Sequence, residues 1–169
     1  MALKELLSER STAIWQAWRD RILDTYPAKS AELFKKGKDP FANPLGQTVS
    51  TETRRIVDAL IEGVDPIELE QPLEMIVKIR AIQDFPPSRA VAFAFELGDV
   101  IRNELATEIA DDRIQAELAE LEARLHNLGL LAFDVYVASR ERLFEVRVNE
   151  LKRSINTLLR RAGNPDLET

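Results

Sequence analysis

Apolar residues recur at three- and four-residue spacing along most of the chain and nowhere alternate with polar ones for any useful length, which predicts helices throughout. Leu3, Leu6, Leu7, Ile14, Trp15, Trp18, Ile22 and Tyr26 predict an amphipathic helix over 3–26, stopped by Pro27. The stretch from Pro27 to Gly46 is rich in proline and glycine and predicts a loop, with one helical turn at 31–35. Asn43-Pro44 then reads as an N-cap followed by a first-turn proline, opening a helix that Gly63 ends. Asp65-Pro66 repeats the start signal. Pro72 predicts a break, with the next helix running from about Leu73 to Phe85. Pro86-Pro87-Ser88 resets the chain, and the helix over 88–109 is apolar on nearly every side at its start, as a central buried helix would be.

From Asp111 to about Ala162 there is one glycine and no proline, which predicts one very long helix or two with a bend. Ile114, Leu118, Leu121, Leu125, Leu128, Ala132 and Val135 follow a 4-3 rhythm. Phe144, Val148, Leu151, Ile155 and Leu158 follow the same rhythm displaced by two residues, about half a turn, so the two halves face different surroundings. The middle, 128–137, reads as core, and the last part as packing on a second surface. That surface is either another protomer, as the alternating charge of 140–161 suggests, or the same domain folded back upon.

Composition narrows the chemistry. The chain of 169 residues has no cysteine, which excludes disulfides, thiolate catalysis and cysteine-ligated metals, and its single His126 makes an imidazole-rich metal site implausible. His126 as a haem ligand would lack a second axial partner, and a satisfied or exposed histidine is the plainer reading. A net charge of −6 disfavours nucleic acid and anionic lipid as partners. No run approaches the roughly 20 apolar residues of a membrane span, and the N-terminus lacks a signal-peptide core, so a soluble cytoplasmic protein without membrane insertion is expected. No nucleophile elbow, phosphate loop or dinucleotide fingerprint is present, so enzyme activity is not expected, nor any cofactor. Nine acidic residues between Glu96 and Glu122 face two arginines, whereas 140–161 holds seven basic residues against three acidic, an asymmetry suited to contact between the two regions.

Two stretches stand out. In Arg80-Ala-Ile-Gln-Asp-Phe-Pro-Pro-Ser-Arg-Ala90 a polar cluster interrupts an apolar run, and Arg80 and Asp84 are spaced to pair across one helical turn. One reading is architectural, a helix-end ion pair that ties down the proline corner. The other is a pocket built from Arg80, Gln83, Asp84 and Ser88 for a small anion or a partner's carboxylate, with Ser88 capping the next helix. In Asp39-Pro-Phe-Ala-Asn-Pro-Leu-Gly46, Asn43 caps a helix while Phe41 and Leu45 are placed to insert as apolar plugs, and the same stiffness would suit a pocket rim. Trp15 and Trp18, three apart, read as core or dimer contacts.

These two stretches, with Trp18 ahead of Tyr26-Pro27, resemble the N-terminal domain of RsbRD-type RsbT co-antagonist proteins over about residues 3–106. The resemblance implies a helical sensory domain of stressosome type placed ahead of a STAS domain; related RsbR N-domains are globin-like, lack haem and dimerise. No STAS segment follows the long helix in this sequence, so phosphorylation-controlled capture of a kinase is not carried over, and the resemblance supplies no ligand or catalytic residue. The expectation is therefore an all-α helical bundle, globin-like if the relatives' fold is shared, with an N-terminal-domain unit at 1–110, a long C-terminal helix or helix pair at 111–162 and a flexible tail at 163–169. It would act as a non-enzymatic sensor or adaptor through protein partners, as a homodimer, with a small-molecule signal allowed. A small-molecule or haem-binding sensor and an accessory subunit of a redox complex are the alternatives.

Overall fold

The computed structural model describes residues 2–163 apart from Lys38, Pro40 and Asp84. Six α-helices and one 3-10 turn make an all-α bundle: α1 (Leu3–Leu23), α2 (Ala28–Lys36), α3 (Pro44–Glu62), the turn Pro66–Leu69, α4 (Glu70–Ile82), α5 (Pro87–Glu104) and α6 (Asp112–Gly163). Local chemistry sets most of these limits. Asn43 caps α3 through its Oδ1, which accepts from Gly46 N at 3.0 Å. Gly63, at φ 90°, closes the same helix in the left-handed conformation that a side chain would strain.

Several boundaries depart from the pattern in the sequence: α1 stops at Leu23 rather than Tyr26, and α4 at Ile82 rather than about Phe85. The stretch expected to hold one turn forms the nine-residue α2. Pro72 does not break α4 but falls in its first turn, where its missing N–H has no helical acceptor to lose. Ser88 does not cap α5, because Pro86 occupies that position and Pro87 starts the helix. The same helix ends at Glu104 rather than near Ile109; Leu105, fully buried, pins the turn that leads to α6.

α1 packs between α3 and α5, α3 against α4, and α6 against both α4 and α5. Trp18, Ile22, Ile56, Leu73, Ile76 and Leu97 are fully buried at the centre, each contributing roughly 1.5–3 kcal/mol of transfer free energy relative to exposure. Trp18 also locks α1 to α5: its Nε1 donates to Phe93 O at 2.7 Å, and its ring stacks on Phe93 with centroids 6.1 Å apart. The void between α1, α3, α5 and α6, lined by Leu7, Ile14, Leu60 and Leu97, measures about 10 Å³ and is wholly apolar. That is about the room of one water molecule in a lining that offers it no hydrogen bond, so the space holds no ligand.

α6 is one continuous helix of 52 residues. Its first half buries Ile114, Leu118, Leu121, Leu125, Leu128 and Ala132 against the bundle, and Gly129 does not interrupt it. Residues 128–137 are core on one side only, because Leu130, Phe133 and Val137 face outward. Beyond Ser139 no described residue of the helix is buried, so the last part does not fold back on the domain. The outlying segment belongs to the same helix that closes the bundle, and the expected division near residue 110 is a turn between packed helices. The tail expected from 163 lies outside the described residues after Gly163.

Candidate functional site

The α4–α5 corner is built around Arg80, in the last turn of α4 and 1% exposed. Its guanidinium points into the bundle. Nε donates to Ala90 O at 3.0 Å, Nη2 to Arg89 O at 3.0 Å and Nη1 to Thr25 Oγ1 at 3.2 Å, so one side chain joins α4, the end of α1 and the first turn of α5. The ring of Phe85 lies 4.4 Å from the guanidinium carbon, with Phe93 at 5.8 Å and Tyr26 at 6.0 Å. Burial pushes the guanidinium down from its usual range, and the nearby Tyr26 and Glu96 partly restore it. Peptide carbonyls and aromatic faces, rather than exposed solvent, surround the charge.

Gln83 is the C-cap residue of α4, and its Oε1 accepts from the Tyr26 hydroxyl at 2.9 Å. Desolvation raises the Tyr26 phenol above its ordinary value, a shift that the charge of Arg80 offsets in part. Tyr26 meets Phe34 and Phe85 edge to face at 5.4 and 5.7 Å. Asn43, 2% exposed, joins the same neighbourhood through Phe34: its Nδ2 donates to Phe34 O at 2.9 Å and Gly37 O at 2.8 Å. Arg80, Gln83 and Asn43 are thus linked through Tyr26 and Phe34. Ser88 stands exposed on the outer side of α5, and Asp84 lies outside the described residues. Thr25, Tyr26 and Phe85 complete the corner and escape sequence reasoning; only the position of Tyr26 before Pro27 hints at a shared role.

Phe41 does not plug the core, being 96% exposed, whereas Leu45 packs against it. Trp18 is core. Trp15 is partly buried, donates from Nε1 to Ser50 O at 3.0 Å and is flanked by the guanidinium groups of Arg19 and Arg54. His126 is exposed beside Phe95, with ring centroids 5.6 Å apart. Of the acidic band, Glu122 pairs with Arg102 and Glu117 with Arg113. Among the described residues no group of three or more His, Asp or Glu is set to hold a metal ion, and no helix is long and apolar enough to cross a membrane.

The second feature is the outer side of α6. Leu130, Phe133 and Val137 are exposed alongside the bundle, and Phe144, Leu151 and Leu158, beyond it, are 56, 62 and 64% exposed. These exposed apolar residues follow one another along one helix rather than lying singly, and contiguous patches of that kind mark contact sites. Charge divides along the same axis: 24 acidic and 16 basic residues up to Ser139, against three and seven over 140–161.

The family model described as RsbT co-antagonist protein rsbRD N-terminal domain matches residues 12–151, well past the 3–106 expected and including α6 as far as Leu151. An uncharacterized protein of Archaeoglobus fulgidus is 29% identical over 140 residues, which cover 79% of each chain. No solved structure matches.

Proposed function

The chain belongs to the RsbT co-antagonist protein rsbRD N-terminal domain family, and from that premise we propose that it is a non-enzymatic regulatory domain of the cytoplasm that works as a homodimer through protein–protein contacts in stressosome-type signalling. The observation that carries this reading is α6, which leaves the bundle with an apolar stripe that no described residue of its own chain covers. A helix maintained for contact, over a body without a metal cluster or roomy core void among its described residues, suits an adaptor better than a catalyst.

In this reading a signal or partner engages the α4–α5 corner at Gln83, Ser88 and the neighbouring Asp84, with Arg80 and Asn43 holding the corner behind them. α6, which packs on α4 and α5 and donates an Arg140 Nη1 hydrogen bond to Ala81 O (3.0 Å), carries the displacement outward. Affinity isolation from the native cell tests it with three proteins: wild type, the corner variant Gln83→Ala/Ser88→Trp, and Leu151→Glu/Leu158→Glu on α6. Wild type should hold a defined partner in fixed ratio and the corner variant should lose it. Equal retention by the wild type and the corner variant removes the corner from the reading, and turnover of a substrate by the purified chain overturns it altogether.

A further inference from the structure

The outer side of α4 carries an apolar face of its own. Met75, Ile79 and Ile82, three and four apart, lie within about 60° of one another round the helix. Met75 is 42% exposed and Ile82 71%. Ile82 forms a ridge between two open troughs. One, of about 230 Å³, lies between α4 and the root of α6 and is floored by Ala81, Leu143 and Val146. The other, of about 390 Å³, lies between α4 and the start of α3, against Leu45, Met75 and Ile79. Lys78 borders both.

Charge round the troughs has one sign in excess. The charged side chains among the described residues that line them are Lys78 and Arg142. A single carboxylate, Glu74, serves both, with Oε1 2.9 Å from Lys78 Nζ and 3.9 Å from Arg142 Nη1. On α6, Arg142 and Arg147 flank Leu143 and Val146 at roughly 70° to either side, whereas Glu141 and Glu145 are turned about 130–170° away. Glu150 and Arg153, further along the same face, offset each other. The rim is therefore cationic on a chain whose net charge is −6.

We infer that the two troughs take an amphipathic helix of a different protein, acidic along its flanks, with apolar side chains at i and i+3 or i+4 seated on either side of Ile82. Such anchors stand about 5–6 Å apart on a helix, the spacing needed to straddle one isoleucine side chain, as in recognition of a helix by a groove. A small molecule suits the place less well: binding pockets enclose most of their ligand, and troughs divided by so exposed a ridge enclose little. Carboxylates of the partner meet Lys78 and Arg142, which fixes orientation and disfavours basic helices. This surface adds to the regulatory reading and depends on neither the corner at Gln83 and Ser88 nor the homodimer.

Panning a displayed library of helical peptides, each about four turns long, against the full chain at low salt tests the assignment. Selected sequences should carry two apolar residues three or four apart with Asp or Glu beside them, and a synthetic copy should bind in fluorescence anisotropy. Ile82→Glu/Val146→Glu changes exposed side chains, should leave the urea midpoint in place, and should weaken that peptide at least about tenfold. Lys78→Glu/Arg142→Glu touches no apolar floor residue; it should weaken binding several-fold at low salt and less at high salt, and it decides the case alone should the first variant unfold. The corner variant Gln83→Ala/Ser88→Trp should bind as wild type does. Failure to select a peptide overturns the proposal, as does selection of basic or uncharged sequences, or binding that survives both trough variants. With no peptide selected, methyl shifts at Leu143 and Val146 on adding decanoate would name an amphiphilic anion as the occupant. A wild-type dimer that Ile82→Glu/Val146→Glu converts to monomer in light scattering would mean that a second copy fills the troughs, and would equally overturn the proposal.

Discussion

A guanidinium held by two peptide carbonyls and a threonine hydroxyl is costly to bury and costlier to remove, because the three buried hydrogen bonds that tie α4 to the start of α5 and the end of α1 are lost together. Arg80→Met keeps the apolar stem but deletes all three hydrogen bonds, and should lower unfolding free energy in urea by about 3 kcal/mol. Arg80→Lys should recover less than half, since an ammonium cannot span acceptors on α1 and α5 together. Tyr26 gives this corner a signature in pH. Its phenol is raised by burial, so the folded form keeps its proton after the unfolded chain has begun to lose it near pH 10. Stability should therefore fall as pH climbs from about 10 through the folded value, more steeply in wild type than in Tyr26→Phe, as urea midpoints at pH 9 and above will show. Asn43 and Gly46 act as a pair: a Cβ on Gly46 would meet Phe34 O at 2.3 Å and the Asn43 amide at 2.4 Å. Asn43 is legible in the sequence because an asparagine before a first-turn proline has few other uses. Arg80 is legible as an oddity, but its partners are main-chain oxygens and carry no mark in a sequence.

At the level of elements, one helix spans two environments, and identical residues within it separate them. Leu118 is 1% exposed and Leu151 is 62% exposed, both in α6. Leu118→Ala should cost about 3 kcal/mol, a transfer term plus a cavity, whereas Leu151→Ala should change the stability of the bundle by less than about 0.5 kcal/mol. Thermal or urea unfolding of dilute protein checks the pair. The two frames of the apolar pattern are readable from residue spacing alone, because a two-residue displacement turns a stripe half a turn round the helix. Which surface the second frame meets is not readable there, since folding back and leaving the bundle need the same pattern and differ only in how many helices the core can accommodate. The proline boundaries depart from the sequence pattern for a related reason. Pro72 and Pro87 are helix breakers in the interior but helix starters in the first turn, and tertiary packing decides where that turn falls.

For the whole molecule, stability of the bundle and order of the extension are separate quantities. Every buried residue of α6 lies at or before Ser139, so a chain ending at Leu143 should retain the urea midpoint of the dilute full-length protein. Beyond its root, where Arg142 approaches Glu74 at 3.9 Å, no described residue of the extension is buried, and about 20 residues of solvated helix are marginal on their own. In the proposed homodimer its order comes from association, and association follows mass action. Hydrogen exchange of the full chain should show amides beyond residue 143 exchanging fast at sub-micromolar concentration and becoming protected at tens of micromolar, while amides around Trp18 and Leu97 remain protected at both. Protection of the extension that does not vary with concentration would mean that the helix is held by something other than a second copy. Fast exchange at every concentration would mean that it waits for a different partner. The charge division bears on the same point: two such basic helices repel each other, so in the proposed homodimer the apolar stripe of α6 has to outweigh that repulsion.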